Sequence, residues 1–205
     1  MKTLFSFFAA CCALVLLSNF ALVSPGYQVG DKVADFRLKN VDGTLVSLAD
    51  NKAARGYIVV FTCNTCPYAK AYESRIIALH QKYASQGYSV VAINPNDVAT
   101  VPGDSFAEMQ ARAASQKYPF AYLQDESQQV ARTFGATRTP HLYVVTKQGA
   151  DFVVSYIGAI DDNSEDAKLV KTKYVEQAMT DILAGKPAAT SSTKAIGCTI
   201  KWKKA

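Results

Sequence analysis

The sequence predicts an α/β fold in which helices flank a mixed central sheet, with an N-terminal hairpin extension and a C-terminal tail. A continuous apolar run, 56–62, is followed by an amphipathic segment and by a second apolar run, 88–94. This strand-helix-strand order implies that the two strands pair in parallel. Farther on, the runs 141–146 and 151–158 are joined by the short segment KQGA, which predicts an antiparallel hairpin. Parallel and antiparallel pairs together make a mixed sheet.

The chain has 205 residues, of which 49% are hydrophobic and 19% are charged. This composition is typical of one globular domain and excludes disordered, collagen-like and repeat architectures. We assign the domain to residues 25–187 and a tail with a candidate short strand to residues 188–205. The net charge of +5 is scattered apart from KWKK at 201–204. Because nucleic-acid binding needs a basic face or a groove-reading motif, we predict a solvated basic tail and no nucleic-acid partner.

An apolar segment precedes the domain. Residues 4–23 follow a single positive charge at Lys2, a pattern that is typical of a secretory signal. The segment is also long enough to span a bilayer, so residues 1–24 are predicted to be a signal peptide or an uncleaved membrane anchor. In both cases we expect an exported domain that is periplasmic or tethered to the outer face of the cytoplasmic membrane. Cys11 and Cys12 fall inside this segment and are not expected in the fold.

The first half of the domain contains the hairpin extension and two predicted helices. The segment NVDG at 40–43 predicts a hairpin turn between two short strands. In the segment 66–87, apolar residues recur three and four positions apart, which predicts an amphipathic helix that ends at Gly87. Ser105 and Glu108 have the spacing of a capping box and predict the start of a second helix.

Shorter elements fill the second half. FAYLQD at 120–125 predicts a strand, and ESQQVARTFGA at 126–136 predicts a short helix that ends at Gly135. The antiparallel hairpin comes next. A last helix is predicted from about 168 to 183, where a glycine and then a proline end it.

Two cysteines, Cys63 and Cys66, lie where the first apolar strand gives way to the amphipathic helix. Unsatisfied N–H groups and the helix dipole at such a position lower the pKa of a thiol from about 8.5 towards neutrality, which favours a redox-active dithiol. A purely structural disulfide would close a very short loop and contribute little stability. A structural zinc site would need further ligands, for which the chain offers only the distant His80, His141 and Cys198.

These motifs resemble those of the thioredoxin fold, in which a Cys-x-x-Cys pair faces a loop that carries a cis-proline. The resemblance lies in VVFTCNTCPYAKAYESRI at 59–76 and FGATRTPHLYVV at 134–145. It extends through AINPND, YIGAIDDN and GCTIKWKK over nearly all of residues 30–204. The chain is similar to the peroxiredoxin-like redoxins of the alkyl hydroperoxide reductase/thiol-specific antioxidant (AhpC/TSA) superfamily, which implies a thioredoxin-like fold.

The resemblance also implies roles for single residues. Cys63 would be the attacking thiol and Cys66 the thiol that resolves the mixed disulfide. Thr139 and Pro140 would form the cis-proline loop that binds the backbone of a partner. Asp97 is a candidate acid/base, because some relatives place a carboxylate near the resolving thiol; a turn residue is the alternative. No cofactor and no metal are implied.

Two local features bear on these roles. True peroxiredoxins have Pro seven residues and Thr three residues before the peroxidatic cysteine, whereas Gly56 and Val60 stand at these positions before Cys63. This difference favours disulfide exchange over peroxide reduction. Pro67 directly follows Cys66, and proline suits the first helical position, so a helix that begins there would make Cys66 the activated thiol. Which cysteine attacks is therefore open.

Cys198 is a candidate resolving or structural thiol. A resolving thiol of the kind found in two-cysteine peroxiredoxins would reach a partner subunit and link a dimer during turnover. Apolar residues alternate with others along IGCTIKW at 196–202, which instead predicts a short strand with the thiol on its apolar face. We predict the structural role, in which Cys198 packs against the domain and takes no part in turnover.

The leading hypothesis is an exported thiol-disulfide oxidoreductase whose partners are protein or small-molecule thiols and disulfides, with an electron donor that the sequence does not specify. A peroxide reductase with antioxidant activity is the second hypothesis. The third is copper delivery, in which the two thiolates and His141 would bind Cu(I).

Overall fold

The structure, a computed structural model, describes residues 26–204. Its strands are β1 (Lys32–Val33), β2 (Arg37–Asn40), β3 (Leu45–Ser47), β4 (Gly56–Phe61), β5 (Tyr88–Asn94), β6 (Ala121–Gln124), β7 (Arg138–Thr139), β8 (His141–Gln148), β9 (Asp151–Gly158) and β10 (Cys198–Thr199). Its helices are α1 (Pro67–Tyr83), α2 (Phe106–Gln116), α3 (Gln129–Phe134) and α4 (Tyr174–Leu183). Single 3₁₀ turns lie at Ala84–Gln86, Pro102–Asp104 and Ala167–Leu169.

The central sheet has eight strands in the order β1-β9-β8-β4-β5-β6-β2-β3. β4 pairs in parallel with β5, and β5 in parallel with β6, whereas the other neighbours pair antiparallel. The predicted mixed sheet is therefore confirmed, including the parallel strand-helix-strand unit and the hairpin of β8 and β9. The β2-β3 hairpin forms the predicted extension at one edge of the sheet.

β4 lies near the centre of the sheet and is buried along its whole length. On one face, Ile58 and Val60 pack in a core with α1 and α4. On the other face, Val59 and Phe61 pack in a second core that includes Phe134 of α3. Because side chains alternate between the two faces of a strand, a continuous apolar run is the pattern that a strand with helices on both sides requires.

The last helix begins later than the sequence predicts. Instead of starting near residue 168, α4 begins at Tyr174. The preceding segment is held in other contacts: the N–H of Asp162 donates to the carbonyl of Thr172, and its carboxylate accepts from the N–H of Lys171. The two-residue strand β1 is not predicted from the sequence, because it is too short to show a pattern and depends on pairing with β9.

A second, two-stranded sheet is formed by β10 and β7, with Cys198 opposite Thr139. The tail therefore carries the short strand that the sequence offers as a candidate. Ile200, which directly follows β10, is only 3% exposed, and the ring of Trp202 packs beneath the guanidinium of Arg132. The prediction of a solvated basic tail fits Lys203 and Lys204, which are exposed, but is wrong for the segment just before them.

The predicted signal peptide or membrane anchor at 1–24, with Cys11 and Cys12, lies outside the residues that the structure describes, and export stays a prediction. Within residues 26–204, no helix is long and apolar enough to cross a membrane.

Candidate active site

The dithiol lies where the carboxyl end of β4 meets the N-terminus of α1, as the sequence predicts. Cys66 is the N-cap residue of α1 and Pro67 occupies the first turn, so the helix begins directly after the second cysteine. Cys63 and Cys66 are both free thiols and both only 4% exposed. The pair is thus well enclosed by the protein.

The proton of the dithiol belongs on Cys63. The pKa of Cys66 is lowered, first by a hydrogen bond from the Cys63 thiol, then by the Cys198 thiol and by the backbone N–H groups of Ala69 and Cys198, against the opposing effect of burial. The pKa of Cys63 is raised by the same hydrogen bond, by burial and by the nearby charge of Asp104. Cys66 is therefore the thiol that ionises.

Thr139 faces both cysteines and is completely buried. Its hydroxyl oxygen lies 3.4 Å from Cys63 Sγ, and its carbonyl oxygen lies 3.2 Å from Cys66 Sγ. The bond from Cys66 to the carbonyl exists only while that thiol is protonated, so it opposes ionisation; the several donors to the thiolate outweigh it. The peptide bond between Thr139 and Pro140 is cis, as the resemblance implies.

A buried carboxylate, Asp104, fixes the loop between the cysteines. It accepts from the N–H of Asn64 at 2.7 Å and from the hydroxyl of Thr65 at 3.0 Å. A third bond, 2.7 Å long, comes from the side-chain amide of Asn96. Sequence reasoning missed Asp104, because nothing in PGDS relates it to a motif forty residues earlier; only its position before a capping residue offered a signal.

Asp97, the candidate acid/base, is placed in a turn. Its carboxylate accepts from the hydroxyl of Thr100 at 2.7 Å, which is the main cause of its lowered pKa. Its N–H donates to the carbonyl of Lys201 at 2.8 Å. The carboxylate whose charge acts on Cys63 is instead Asp104. The contacts of Asp97 fit the alternative that the sequence left open, a turn residue.

His141 is buried beside the cis-proline, and burial lowers its pKa to about 4. Its Nδ1 accepts from the N–H of Thr137 at 3.3 Å. Within residues 26–204, no three His, Cys, Asp or Glu side chains are arranged to hold a metal ion. The copper and zinc hypotheses therefore gain no support from the geometry.

Cys198 lies at the dithiol, where neither local pattern nor spacing placed it. It packs against the cluster formed by Cys63, Cys66 and Ala69, and its side chain is half-buried. The backbone N–H of Tyr68, in the first turn of α1, is directed at its sulfur. Cys198 thus packs against the domain from a short strand, as the sequence predicts, and the surface it packs against is the dithiol itself. Whether it takes part in turnover stays a prediction.

The comparison with protein families adds to this geometry. The model of the AhpC/TSA family matches residues 29–157. The chain belongs to the AhpC/TSA family. The matched range includes both cysteines and the cis-proline loop of this redoxin and ends before the tail that carries Cys198.

Several solved structures resemble this AhpC/TSA protein. An uncharacterized conserved protein from Geobacillus kaustophilus is 35% identical, with a TM-score of 0.80 and coverage of 87% of this chain and 94% of that chain. A hypothetical protein from Sinorhizobium meliloti 1021 is 32% identical, with a TM-score of 0.80 over 88% of this chain and 97% of that chain. Peroxidoxin BcpB from Mycobacterium tuberculosis is 21% identical, with a TM-score of 0.52 over 63% and 83%, and shares the fold. No curated protein matches the chain.

Proposed function

We propose that this redoxin is a thiol-disulfide oxidoreductase that uses Cys63 and Cys66 as its redox pair. The observation that carries the proposal is the position of Cys66 as the N-cap of α1, beside Cys63 and Cys198, where neighbouring thiols and backbone N–H groups lower its pKa. Such an environment stabilises the thiolate, which is the form that attacks a disulfide. Membership of the AhpC/TSA family supports redox chemistry at a cysteine in this position.

In this mechanism the thiolate of Cys66 attacks one sulfur of a substrate disulfide and displaces the other as a thiolate. Cys63 then attacks Cys66 Sγ in the mixed disulfide, which releases the reduced substrate and leaves a Cys63–Cys66 disulfide. The order reverses the one that the resemblance implies. It is supported by the start of α1 at Pro67 and by the lowered pKa of Cys66.

The test is exchange with oxidised glutathione and with a disulfide-bonded peptide, followed by mass spectrometry. We expect Cys66→Ser to reduce exchange to background, because the stabilised thiolate is lost. A Cys63→Ser/Cys198→Ser protein should instead accumulate mixed disulfides on Cys66. Ser74→Ala, an exposed change on α1, is the matched control and should behave like the wild type.

Two outcomes would contradict parts of the proposal. Mixed disulfides that accumulate on Cys63 in Cys66→Ser would restore the order of attack implied by the resemblance. Exchange that survives the loss of both Cys63 and Cys66 would remove the proposed function itself.

A peroxide reductase is the second candidate, and membership of the AhpC/TSA family is the observation that favours it. The Cys66 thiolate would attack the peroxide and form a sulfenic acid. The Cys63 thiol would then condense with this sulfenic acid, which gives the same disulfide and water. Peroxide consumption, measured beside disulfide exchange on the same variants, separates the two activities. A protein that consumes peroxide rapidly but exchanges disulfides only slowly would favour the second candidate.

A further inference from the structure

The C-terminal tail occupies the edge that the resemblance assigns to an external partner. β10 pairs antiparallel with β7, which places Cys198 directly opposite Thr139. The pairing continues where the N–H of Ile200 donates to the carbonyl of Thr137 at 3.3 Å. Addition of an extended segment to a free strand edge is a common mode of peptide recognition. In this chain the extended segment belongs to the protein itself and carries a cysteine.

We propose that Cys198 is a third redox residue, which exchanges with the Cys63–Cys66 disulfide inside one chain and makes the tail a built-in disulfide partner of the site. The proposal rests on the proposed function, because it requires that disulfide to form. It differs from the role of a resolving thiol that links two subunits, because the exchange takes place within one chain.

The sulfur of Cys66 stands between the two other thiols. Both the Cys63 thiol and the Cys198 thiol act on it, and the N–H of Cys198 is directed at it as well. The first turn of α1 serves both partners: the N–H of Ala69 is directed at Cys66, and the N–H of Tyr68 at Cys198. Cys198 also packs against the cluster that contains Cys63 and Cys66, so both neighbours lie beside the same sulfur.

Gly197 allows the tail to approach this closely. A Cβ atom at this position would lie 2.2 Å from the carbonyl oxygen of Thr139 and 3.0 Å from the nitrogen of Pro140. These neighbours are backbone atoms that cannot rotate away, so any larger residue would push the tail from the loop. The residue next to Cys198 is thus one that the close contact with the cis-proline loop requires.

Buried polar groups hold the tail beyond Cys198. Gln128 is 1% exposed; its amide donates to the carbonyl of Lys201 at 2.8 Å and its oxygen accepts from the N–H of Lys203 at 2.7 Å. The side-chain oxygen of Asn96 accepts from the N–H of Lys201 at 2.9 Å, and the N–H of Asp97 donates to the carbonyl of Lys201. A tail fixed in this way keeps the Cys198 thiol at a high effective concentration near Cys66.

The exchange step is balanced without an added oxidant. Cys198 Sγ attacks Cys66 Sγ, the Cys66–Cys198 bond forms as the Cys63–Cys66 bond breaks, and Cys63 leaves as a thiolate that takes up the proton lost by Cys198. One disulfide and one thiol are present before and after. Because Cys198 is more exposed than Cys63 or Cys66, an external thiol can then attack Cys198 and release Cys66, the thiol with the lowered pKa and hence the best leaving group.

The charges around Cys198 suit this order of events. Its pKa is raised to about 11, first by burial and then by the hydrogen bond and charge of Cys66. The last two causes require the Cys66 thiolate, which disappears when Cys66 enters a disulfide. What remains beside burial are Lys201 and the N–H of Tyr68, which lower the pKa. Cys198 thus becomes a better nucleophile after the dithiol is oxidised.

The test is disulfide mapping of the full chain after equilibration with glutathione redox buffers, alkylation of free thiols and proteolysis without reduction. We expect the wild type to contain both Cys63–Cys66 and Cys66–Cys198 bonds within monomers. Cys63→Ser should form the Cys66–Cys198 bond almost completely. Gly197→Ala should slow formation of that bond by at least about tenfold, because the effective concentration falls, whereas Ile196→Ala, at an exposed tail position, should not.

Failure of this proposal differs from failure of the proposed function. The Cys63–Cys66 disulfide could form while Cys198 remains a free thiol, and is therefore alkylated, in both the wild type and Cys63→Ser. In that case the third redox role is wrong and the proposed function stands. A Cys66–Cys198 bond found only between chains on a non-reducing gel would also overturn the intramolecular exchange. Absence of any Cys63–Cys66 bond under these buffers would overturn the function on which the proposal rests.

Discussion

At Cys66, hydrogen bonds to the sulfur act against burial. The pKa of Cys63 is raised, first by its hydrogen bond to Cys66 and then by burial and the charge of Asp104. The pKa of Cys66 is instead lowered, first by the Cys63 thiol and then by the Cys198 thiol and the N–H groups of Ala69 and Cys198. The direction of each pKa in the pair is thus set by which sulfur the donors surround. Both residues are 4% exposed, so exposure alone does not separate them.

The first prediction concerns the ionisation of Cys66. Alkylation of this residue by iodoacetamide should stay fast from neutral pH into the acid range, because the lowered pKa keeps the thiolate populated. In Cys63→Ala the largest cause of the lowering is lost, so the pKa rises towards the ordinary value of about 8.5 and alkylation at a fixed acidic pH slows about tenfold for each unit of rise.

Cys198→Ala is the comparison variant for this profile. The Cys198 thiol lowers the pKa of Cys66 less than the Cys63 thiol does, so the pKa of Cys66 should rise less in this variant. A profile of Cys66 that is the same in the wild type and Cys63→Ala would show that the hydrogen bond between the two thiols is not what lowers the pKa.

At the scale of elements, α1 connects the site to the rest of the molecule. Its N-terminus carries the dithiol, and its middle is fixed by two ion pairs. Glu73 accepts from Arg112 of α2 through both carboxylate oxygens, at 2.5 and 2.6 Å. Arg75 donates to Asp161, in the loop after β9, at 2.8 Å, and Asp161 also accepts from the hydroxyl of Tyr72. The helix that positions Cys66 is therefore held from two sides.

The second prediction tests this attachment. Asp161→Ala should lower the free energy of unfolding by about 3 kcal/mol, because it leaves the largely buried guanidinium of Arg75 and the hydroxyl of Tyr72 without their acceptor. Urea unfolding measures the change. Lys32→Ala, which removes one exposed partner of the pair with Asp151, should leave the midpoint unchanged. Equal effects of the two changes would contradict the assigned importance of burial.

At the scale of the whole molecule, the sheet separates two cores, and the site lies at the carboxyl end of β4. Phe134 is central to the second core. It is 1% exposed and makes edge contacts with the rings of Tyr27, Phe36, Phe61 and Tyr143, with centroids 5.0 to 6.2 Å apart. This cluster joins the start of the described chain to the sheet and to α3.

The third prediction follows from that cluster. Phe134→Ala should lower the free energy of unfolding by about 3–5 kcal/mol, because it leaves a cavity where several aromatic rings meet. Leu169→Ala, at a residue that is 62% exposed, is the control and should unfold at the wild-type urea concentration. A small effect of Phe134→Ala would show that the neighbouring rings close the cavity.

Features that have a local pattern can be predicted from the sequence alone. The buried run of β4, the helical spacing of α1 and the capping pair Ser105 and Glu108 repeat or pair within a few residues. The start of each element matches its prediction within a residue or two, whereas α1 ends at Tyr83, before the predicted end at Gly87, because a 3₁₀ turn replaces its last turn. The position of Cys66 at the start of a helix follows from Pro67 in the same way. These patterns are readable because side-chain burial and capping act between neighbours along the chain.

Which distant residues meet at the site depends on tertiary packing. Asp104 reaches the loop between the cysteines, and Cys198 reaches Cys66 and Thr139, through contacts across long stretches of chain. Such contacts depend on how β4, β7 and the tail converge, and two-residue strands such as β7 and β10 are too short to carry a pattern. The fold therefore follows from periodicity, whereas the third thiol of the site follows from packing, because only packing brings a residue 132 positions away to the sulfur of Cys66.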